Sequence, residues 1–249
     1  MVVKKALIIF VSIFFIIGVN AKEYSTGVDK DYPSKLLWGD THLHSNQSAD
    51  AYTIGNSNLT PSDAFRFARG EEVISENGVR AKLRVPLDFL LVSDHATFLG
   101  MFKRIEERDP KILKTPLGKR WRKYMDNDDP TLFTEFVDGL NGNLDETFSK
   151  EDYIPIWKKI TENVDKFNQP GIFTALIGYE WTPAPTGDNL HRVVVFKDDA
   201  KLAQKIVPFS AIDSNKPEDL WNFLKNYNSS TGGEAISISH NSNISGGRM

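Results

Sequence analysis

The sequence contains no cysteine. That excludes disulfide scaffolds, thiolate metal sites, a cysteine nucleophile and a lipoprotein anchor. Neither sign of charge dominates: the net charge is -3 and the pI about 6.0. No basic face is forced, so nucleic acid is not an implied partner. Glycine-rich phosphate loops of the forms G-x-x-x-x-G-K-[ST] and G-x-G-x-x-G are missing. Internal repeats and low-complexity tracts are missing as well. Apolar residues make up 40% and charged residues 25% of the chain, close to globular averages, which excludes disordered, collagenous and many-span membrane classes. Histidine is scarce, with five in 249 residues. All five fall inside the motifs that carry the chemistry.

One apolar run stands out at the start. Lys4 and Lys5 precede Ala6–Val19, and Val19-Asn20-Ala21 has the compact residues of a cleavage site. This pattern is that of a secretory signal peptide over residues 1–21, cut after Ala21. As a helix the run rises only about 21 Å, short of a bilayer core of roughly 30 Å. The chain is therefore expected to be exported, periplasmic or secreted, with no stable membrane anchor after cleavage. Residues 22–249 form the expected globular domain.

Short apolar runs then alternate with helical patterns. Leu36–Asp40, Leu87–Val92, Phe173–Ile177, Val193–Phe196 and Ala235–Ser239 read as strands. Thr60-Pro61-Ser62-Asp63 opens a helix as a capping-box-like start that ends at Gly70. Pro217–Tyr227 reads as an amphipathic helix with Pro217 in its first position. Residues 101–169, about Met101 to Gln169, are mostly helical, with breaks at Pro110, Pro116, Pro130, Gly139 and Pro155. The alternation argues for an α/β chain with a parallel sheet or barrel.

The first run ends in Gly39-Asp40-Thr41-His42-Leu43-His44. Alternate strand residues share a side, so Asp40, His42 and His44 project together. An isolated H-x-H is weak evidence for a metal. Position strengthens it: the second run ends in Asp94-His95, the third in Glu180 and the fifth in His240. Ligands gathered at the C-terminal ends of strands are the habit of α/β active sites. His191 is the exception, because it precedes its strand. The bland alternative is five histidines scattered through loops and core.

The stretches D-T-H-L-H, S-A-D, L-T-P-S-D-A-F-R-F-A and L-D-F-L-L-V-S-D-H-A-T-F together resemble the opening of the PHP (polymerase and histidinol phosphatase) superfamily. G-Y-E-W, N-L-H-R-V-V-V-F and I-S-H-N-S-N resemble more closely an exported branch catalogued as domain-of-unknown-function family 3604. The resemblance implies a PHP-like distorted seven-stranded β/α barrel with a helical insertion at 101–169. It also implies two or three divalent metal ions (Zn, Mn or Fe) and phosphoester hydrolysis. By the same resemblance His42, His44, Asp50, His95, Glu180, His191 and His240 are metal ligands, with Glu180 bridging two ions. Asp40 and Asp94 are expected to orient ring nitrogens and so assist catalysis. Ala51 follows Asp50 where the family has glycine, and the family's final Asp-x-His is absent. Met249 is therefore expected to be a truncation point in a longer protein. The barrel should then be incomplete, with an exposed edge near Ala235–Ser239, and the truncated chain weak or inactive.

Such ligands need no side-chain nucleophile, since a metal-held hydroxide attacks the phosphorus or carbonyl. Asp50 reads equally well as a turn acid. Arg192, Asn241, Asn243 and Arg248 are candidate substrate contacts, although Arg192 reads better as an exposed strand residue and Arg248 as a flexible end. Lys119–Lys123 reads as a solvated helix face, and Trp157, Trp181 and Trp221 as core. The expected function is an exported metal-dependent hydrolase acting on a small-molecule phosphate ester. An amidohydrolase-type amide or ester hydrolase and a non-catalytic periplasmic metal- or ligand-binding module are the alternatives. The helical insertion is expected to lie beside the strand ends and shape access.

Overall fold

The computed structural model describes residues 35–240 and 242–249. The signal-peptide expectation at residues 1–21 lies outside the described residues. Residues 37–249 form one compact unit. The elements are β1 (Gly39–Leu43), α1 (Ala49–Ile54), α2 (Pro61–Ala68), β2 (Val73–Ile74), β3 (Arg80–Ala81) and β4 (Phe89–Val92), followed by α3 (Met101–Glu106), α4 (Pro116–Asp126), α5 (Thr131–Leu140) and α6 (Lys150–Phe167). Then come β5 (Thr174–Trp181), β6 (Arg192–Phe196), α7 (Ala200–Ala203), α8 (Pro217–Thr231) and β7 (Ala235–Ser239). No helix among the described residues is long and apolar enough to cross a membrane.

Five strands make one sheet in the order β1-β4-β5-β6-β7, and β2 and β3 form a separate hairpin. β1, β4 and β5 are parallel, whereas β6 and β7 run antiparallel to their neighbours. The sheet is therefore mixed, not the parallel sheet expected. It does not close into a barrel among the described residues, which supply only five strands to it. β1 and β7 are its edges. At the β7 edge Ile236 and Ile238 are 61% and 39% exposed.

The apolar runs of β4 and β5 are buried on both faces, as central strands of a covered sheet are, whereas Leu36, Leu37 and Trp38 of the first run precede β1 and are exposed. Leu90 and Leu91 of β4 and Tyr179, Glu180 and Trp181 of β5 are buried. Gly178 lets β5 approach β6: a Cβ there would stand 2.2 Å from the Val194 carbonyl oxygen. α2 has the expected capping box, with the Thr60 hydroxyl accepting from the Asp63 N–H and the Asp63 carboxylate accepting from the Thr60 N–H. α8 runs past Tyr227 to Thr231, because the stop is Gly232 in the left-handed conformation. Its buried face is Leu220, Leu224 and Tyr227, so Trp221, one position round the helix, is half exposed and not core.

The segment 101–169 holds α3, α4, α5 and α6. Pro155 does not break α6: it is exposed in the second turn, while Ile156, Trp157 and Ile160 anchor the helix in the core. α6 packs on α2, α7 and β5 and so belongs to the layer that covers the sheet. α4 and α5 enclose an aromatic cluster of Phe98, Phe102, Trp121, Phe136 and Phe148. Phe136 brings this cluster against His95, ring centroids 6.4 Å apart.

Candidate metal centre

Alternation along β1 delivers His42 and His44 to one side of the sheet end. Their Nε2 atoms lie 3.0 and 2.8 Å from Glu180 Oε2. His95 follows β4 and forms a bridge directly beside Glu180 of β5. Its Nδ1 is 3.6 Å from Glu180 Oε1. His191 precedes β6 and His240 follows β7, yet both reach the same carboxylate, at 2.9 and 3.0 Å from Oε1. The antiparallel direction of β6 explains the apparent exception. The start of an antiparallel strand lies at the same sheet end as the finish of its neighbours. Every histidine of the chain therefore has a ring nitrogen within 3.6 Å of Glu180, whose side chain is wholly buried.

Asp50, in the first turn of α1, closes the other flank. Its carboxylate is 3.0 Å from His44 Nδ1 and 3.3 Å from His95 Nε2. Two donor sets result: His42, Glu180 and His240, and His44, Asp50 and His95, with donor atoms within 4.8 Å inside each set. Glu180 also touches His44, and so links the two.

The charge balance follows from these contacts. Burial works to raise the Glu180 pKa, but the imidazoles, His95 foremost, outweigh it and hold the carboxyl well below its usual range. Asp50 is likewise held low by His44 and His95 against the effect of burial. Burial works to lower the His44 pKa, but hydrogen bonds to Asp50 and Glu180 carry it up to about 10. Burial pushes His191 below its ordinary value despite Glu180.

The residues fit divalent cations. The donors are imidazole nitrogen and carboxylate oxygen without thiolate, a set that suits Zn, Mn or Fe. Bonds of roughly 2.1 Å in a tetrahedral shell place donors about 3.4 Å apart, and the closest approaches here are of that order. Two buried ring atoms, His191 Nε2 and His240 Nε2, have no hydrogen-bond partner. For His240 this holds although Glu180 Oε1 is only 3.0 Å away: the two atoms are close but out of line for a hydrogen bond. Buried polar atoms without partners are rare, and an ion is one of the few explanations for them.

Other expected site residues are placed differently. Asp40 is exposed and accepts from the His42 backbone N–H at 2.7 Å, where the β1–β4 register is irregular. It orients a backbone, not a ring. Asp94 is buried and accepts from the Ser45 N–H and hydroxyl at 2.5 and 2.7 Å. It fixes the loop after β1, and burial raises its pKa despite those bonds. Arg192 is only 8% exposed, not the exposed strand residue expected. Its guanidinium lies over Trp181, 5.7 Å from the ring centroid, and donates to the Leu190 carbonyl. Burial lowers its pKa. Arg248 pairs with Asp188 at 3.1 Å. Asn241 and the side chain of Asn243 lie outside the described residues.

Sequence reasoning missed Thr182 and the part played by Ser48. The Thr182 hydroxyl is 2.5 Å from His95 Nδ1 and 3.3 Å from Glu180 Oε1. It stands two residues after Glu180, so strand alternation could have found it. The Ser48 hydroxyl donates to Asp50 at 2.6 Å and accepts from the His95 N–H at 3.1 Å.

Fold and site together define a mixed α/β protein with a histidine–carboxylate cluster at one end of its sheet. The chain belongs to the family described as protein of unknown function (DUF3604), whose model matches residues 31–249. Neither the curated proteins nor the solved structures compared with it contain a match.

Proposed function

We propose that this chain is a metal-dependent hydrolase acting on phosphate esters, as the PHP resemblance implies. The observation that carries the reading is the convergence of all five histidines on Glu180. His42, Glu180 and His240 would hold one ion, and His44, Asp50 and His95 a second, with Glu180 between them and His191 beside it. Bound cations of this kind supply Lewis-acid charge and lower the pKa of a coordinated water. The chain's own residues supply the rest. Glu180 stays ionised because the imidazoles surround it. Thr182 and Asp50 fix the two nitrogens of the His95 ring. His42 is the most exposed ligand, with its side chain 44% accessible, and Asp50 follows at 31%. These two residues form the solvent-facing part of the cluster, while Phe136 packs against His95. The charges of Arg192 and Arg248 are committed elsewhere, so recognition of the phosphoryl group falls to the cluster.

The test strips the purified protein with chelator, restores Mn, Zn or Fe, and counts metal per chain. Turnover of an aryl phosphate, an aryl ester and an anilide is then compared, beside His42→Ala and Glu180→Ala. Metal-dependent phosphatase activity lost in both variants is expected. Activity that ignores chelator or survives both substitutions sinks the mechanism. Metal uptake without turnover of any substrate class indicates a metal-binding module. Export is proposed from residues 1–21 alone. An N-terminus at Lys22 in exported protein is the expected result of sequencing.

A further inference from the structure

Beside the metal centre lies a cavity of about 250 Å³. Leu43 and His44 form one wall, Leu59, Ala64 and Phe67 a second, and Val73 and Ala81 of the β2–β3 hairpin a third. Five polar residues also border it, but each already takes part in a hydrogen bond. Ser45 donates its hydroxyl to Asp94. Thr60 and Asp63 satisfy each other in the capping box of α2. The Asn56 side-chain oxygen accepts from the Leu59 N–H, and the Ser75 hydroxyl from the Val79 N–H. Both ring nitrogens of His44 face carboxylates. The ring therefore brings no free hydrogen-bonding atom to the cavity. A polar ligand would lose its hydration here and find few partners in return. An apolar one loses only its contact with water. A cavity of about 150 Å³ is enough to hold benzene, so this one has room for a fused bicyclic ring or a comparable alkyl chain.

We infer that this cavity binds the apolar arm, aryl or alkyl, of the ester on which the metal centre acts. The inference rests on the hydrolase reading for the identity of the ester. Adjacency supports it: His44 is at once a wall of the cavity and a member of the histidine–carboxylate cluster. An arm seated against Phe67 and Leu59 would lie next to His44, the one residue shared with the cluster.

The test uses 1-naphthol, which carries the arm without the phosphoryl group. Two variants fill the cavity from opposite walls, Ala64→Phe on α2 and Ala81→Phe on the hairpin. Neither residue belongs to the metal cluster. Fluorescence titration of the purified wild type should show saturable naphthol binding. Each variant should weaken it about tenfold, the scale on which a hydrophobic pocket discriminates, with metal content unchanged. With 1-naphthyl phosphate the KM should rise at constant kcat, while methyl phosphate turnover stays as in wild type. Absent naphthol binding, or binding that a folded variant leaves intact, overturns the inference. Should neither variant fold, nuclear Overhauser contacts between naphthol and the Ala64 and Val73 methyl groups of the wild type decide. Their presence supports the site and their absence overturns it. Naphthol binding without metal uptake or turnover would sink the hydrolase reading and leave the cavity assignment standing.

Discussion

Glu180 is a single buried carboxylate that answers to five imidazoles. Replacing it with glutamine keeps the shape and removes the charge that links both donor sets. Glu180→Gln should cost at least about 100-fold in metal affinity, since even residues that only support a ligand cost 10- to 100-fold; metal analysis after dialysis measures this. Thr182→Val removes one hydroxyl beside His95 at nearly constant volume. The expected loss is about 10-fold in affinity with little change in melting temperature, and unchanged affinity would make the 2.5 Å contact incidental. His44 sets the pH dependence. In the metal-free protein its pKa is raised to about 10, so the ring is charged at neutral pH. A pKa raised in the folded state stabilises fully below the ordinary value of 6.5 and loses that contribution as pH climbs toward 10. Ligation requires the neutral ring, so metal binding at pH 7 must release a proton and strengthen as pH rises. Titration calorimetry in two buffers of different ionisation enthalpy reads the proton directly. A heat that does not depend on the buffer would mean that His44 was neutral beforehand.

Single elements carry the cluster through narrow margins. β5 approaches β6 over Gly178, and Glu180 stands two residues further on the same strand. In Gly178→Ala the new methyl would meet the Val194 carbonyl at 2.2 Å, so one strand must move. A stability loss of roughly 1–3 kcal/mol is expected from such overpacking. Weaker metal binding should follow, as Glu180 shifts from His191 and His240. Urea unfolding and metal titration of one sample test both halves, and lost stability with intact metal affinity would separate the strand from the site. α2 depends on a local device. Thr60→Ala removes its cap, at a cost of about 1 kcal/mol. This helix was legible from four residues, because a capping box is a short-range arrangement of side chain and backbone. α8 was legible at Pro217 for the same reason, while its end at Gly232 was placed too early. Arg192 was not legible at all. A charged residue at a strand start reads as exposed until Trp181 on the neighbouring strand is known to cover it.

The whole molecule ties its site to its stability. The candidate ligands come from β1 and the residue after it, α1, β5 and the segments after β4, before β6 and after β7, so only the folded sheet assembles them. An ion that binds the folded state alone stabilises it by about 2.7 kcal/mol at 100 times its dissociation constant. For a chain of this size that corresponds to roughly 5–10 °C in melting temperature. Chelation should lower the calorimetric transition by that much in the wild type and leave Glu180→Gln unmoved. Equal shifts in both proteins would place the bound metal elsewhere.

The sequence alone determined the set of candidate donors: which residues can ligate, that no thiolate is among them, and that His42 and His44 share a side. It also located the five strands of the sheet to within a few residues. These are short-range properties, written in periodicity and in the residues that start and stop elements. Tertiary structure decided the direction of β6 and β7, and with it why His191 and His240 can both meet Glu180. It also decided that Asp94 and Asp40 hold backbone rather than rings, and that Thr182 belongs to the centre. Periodicity fixes which face of a strand is apolar but not which strand lies beside it. That choice depends on burial between residues far apart in the chain, as between His42 and Glu180, 138 positions apart. Such contacts exist only once the sheet has formed.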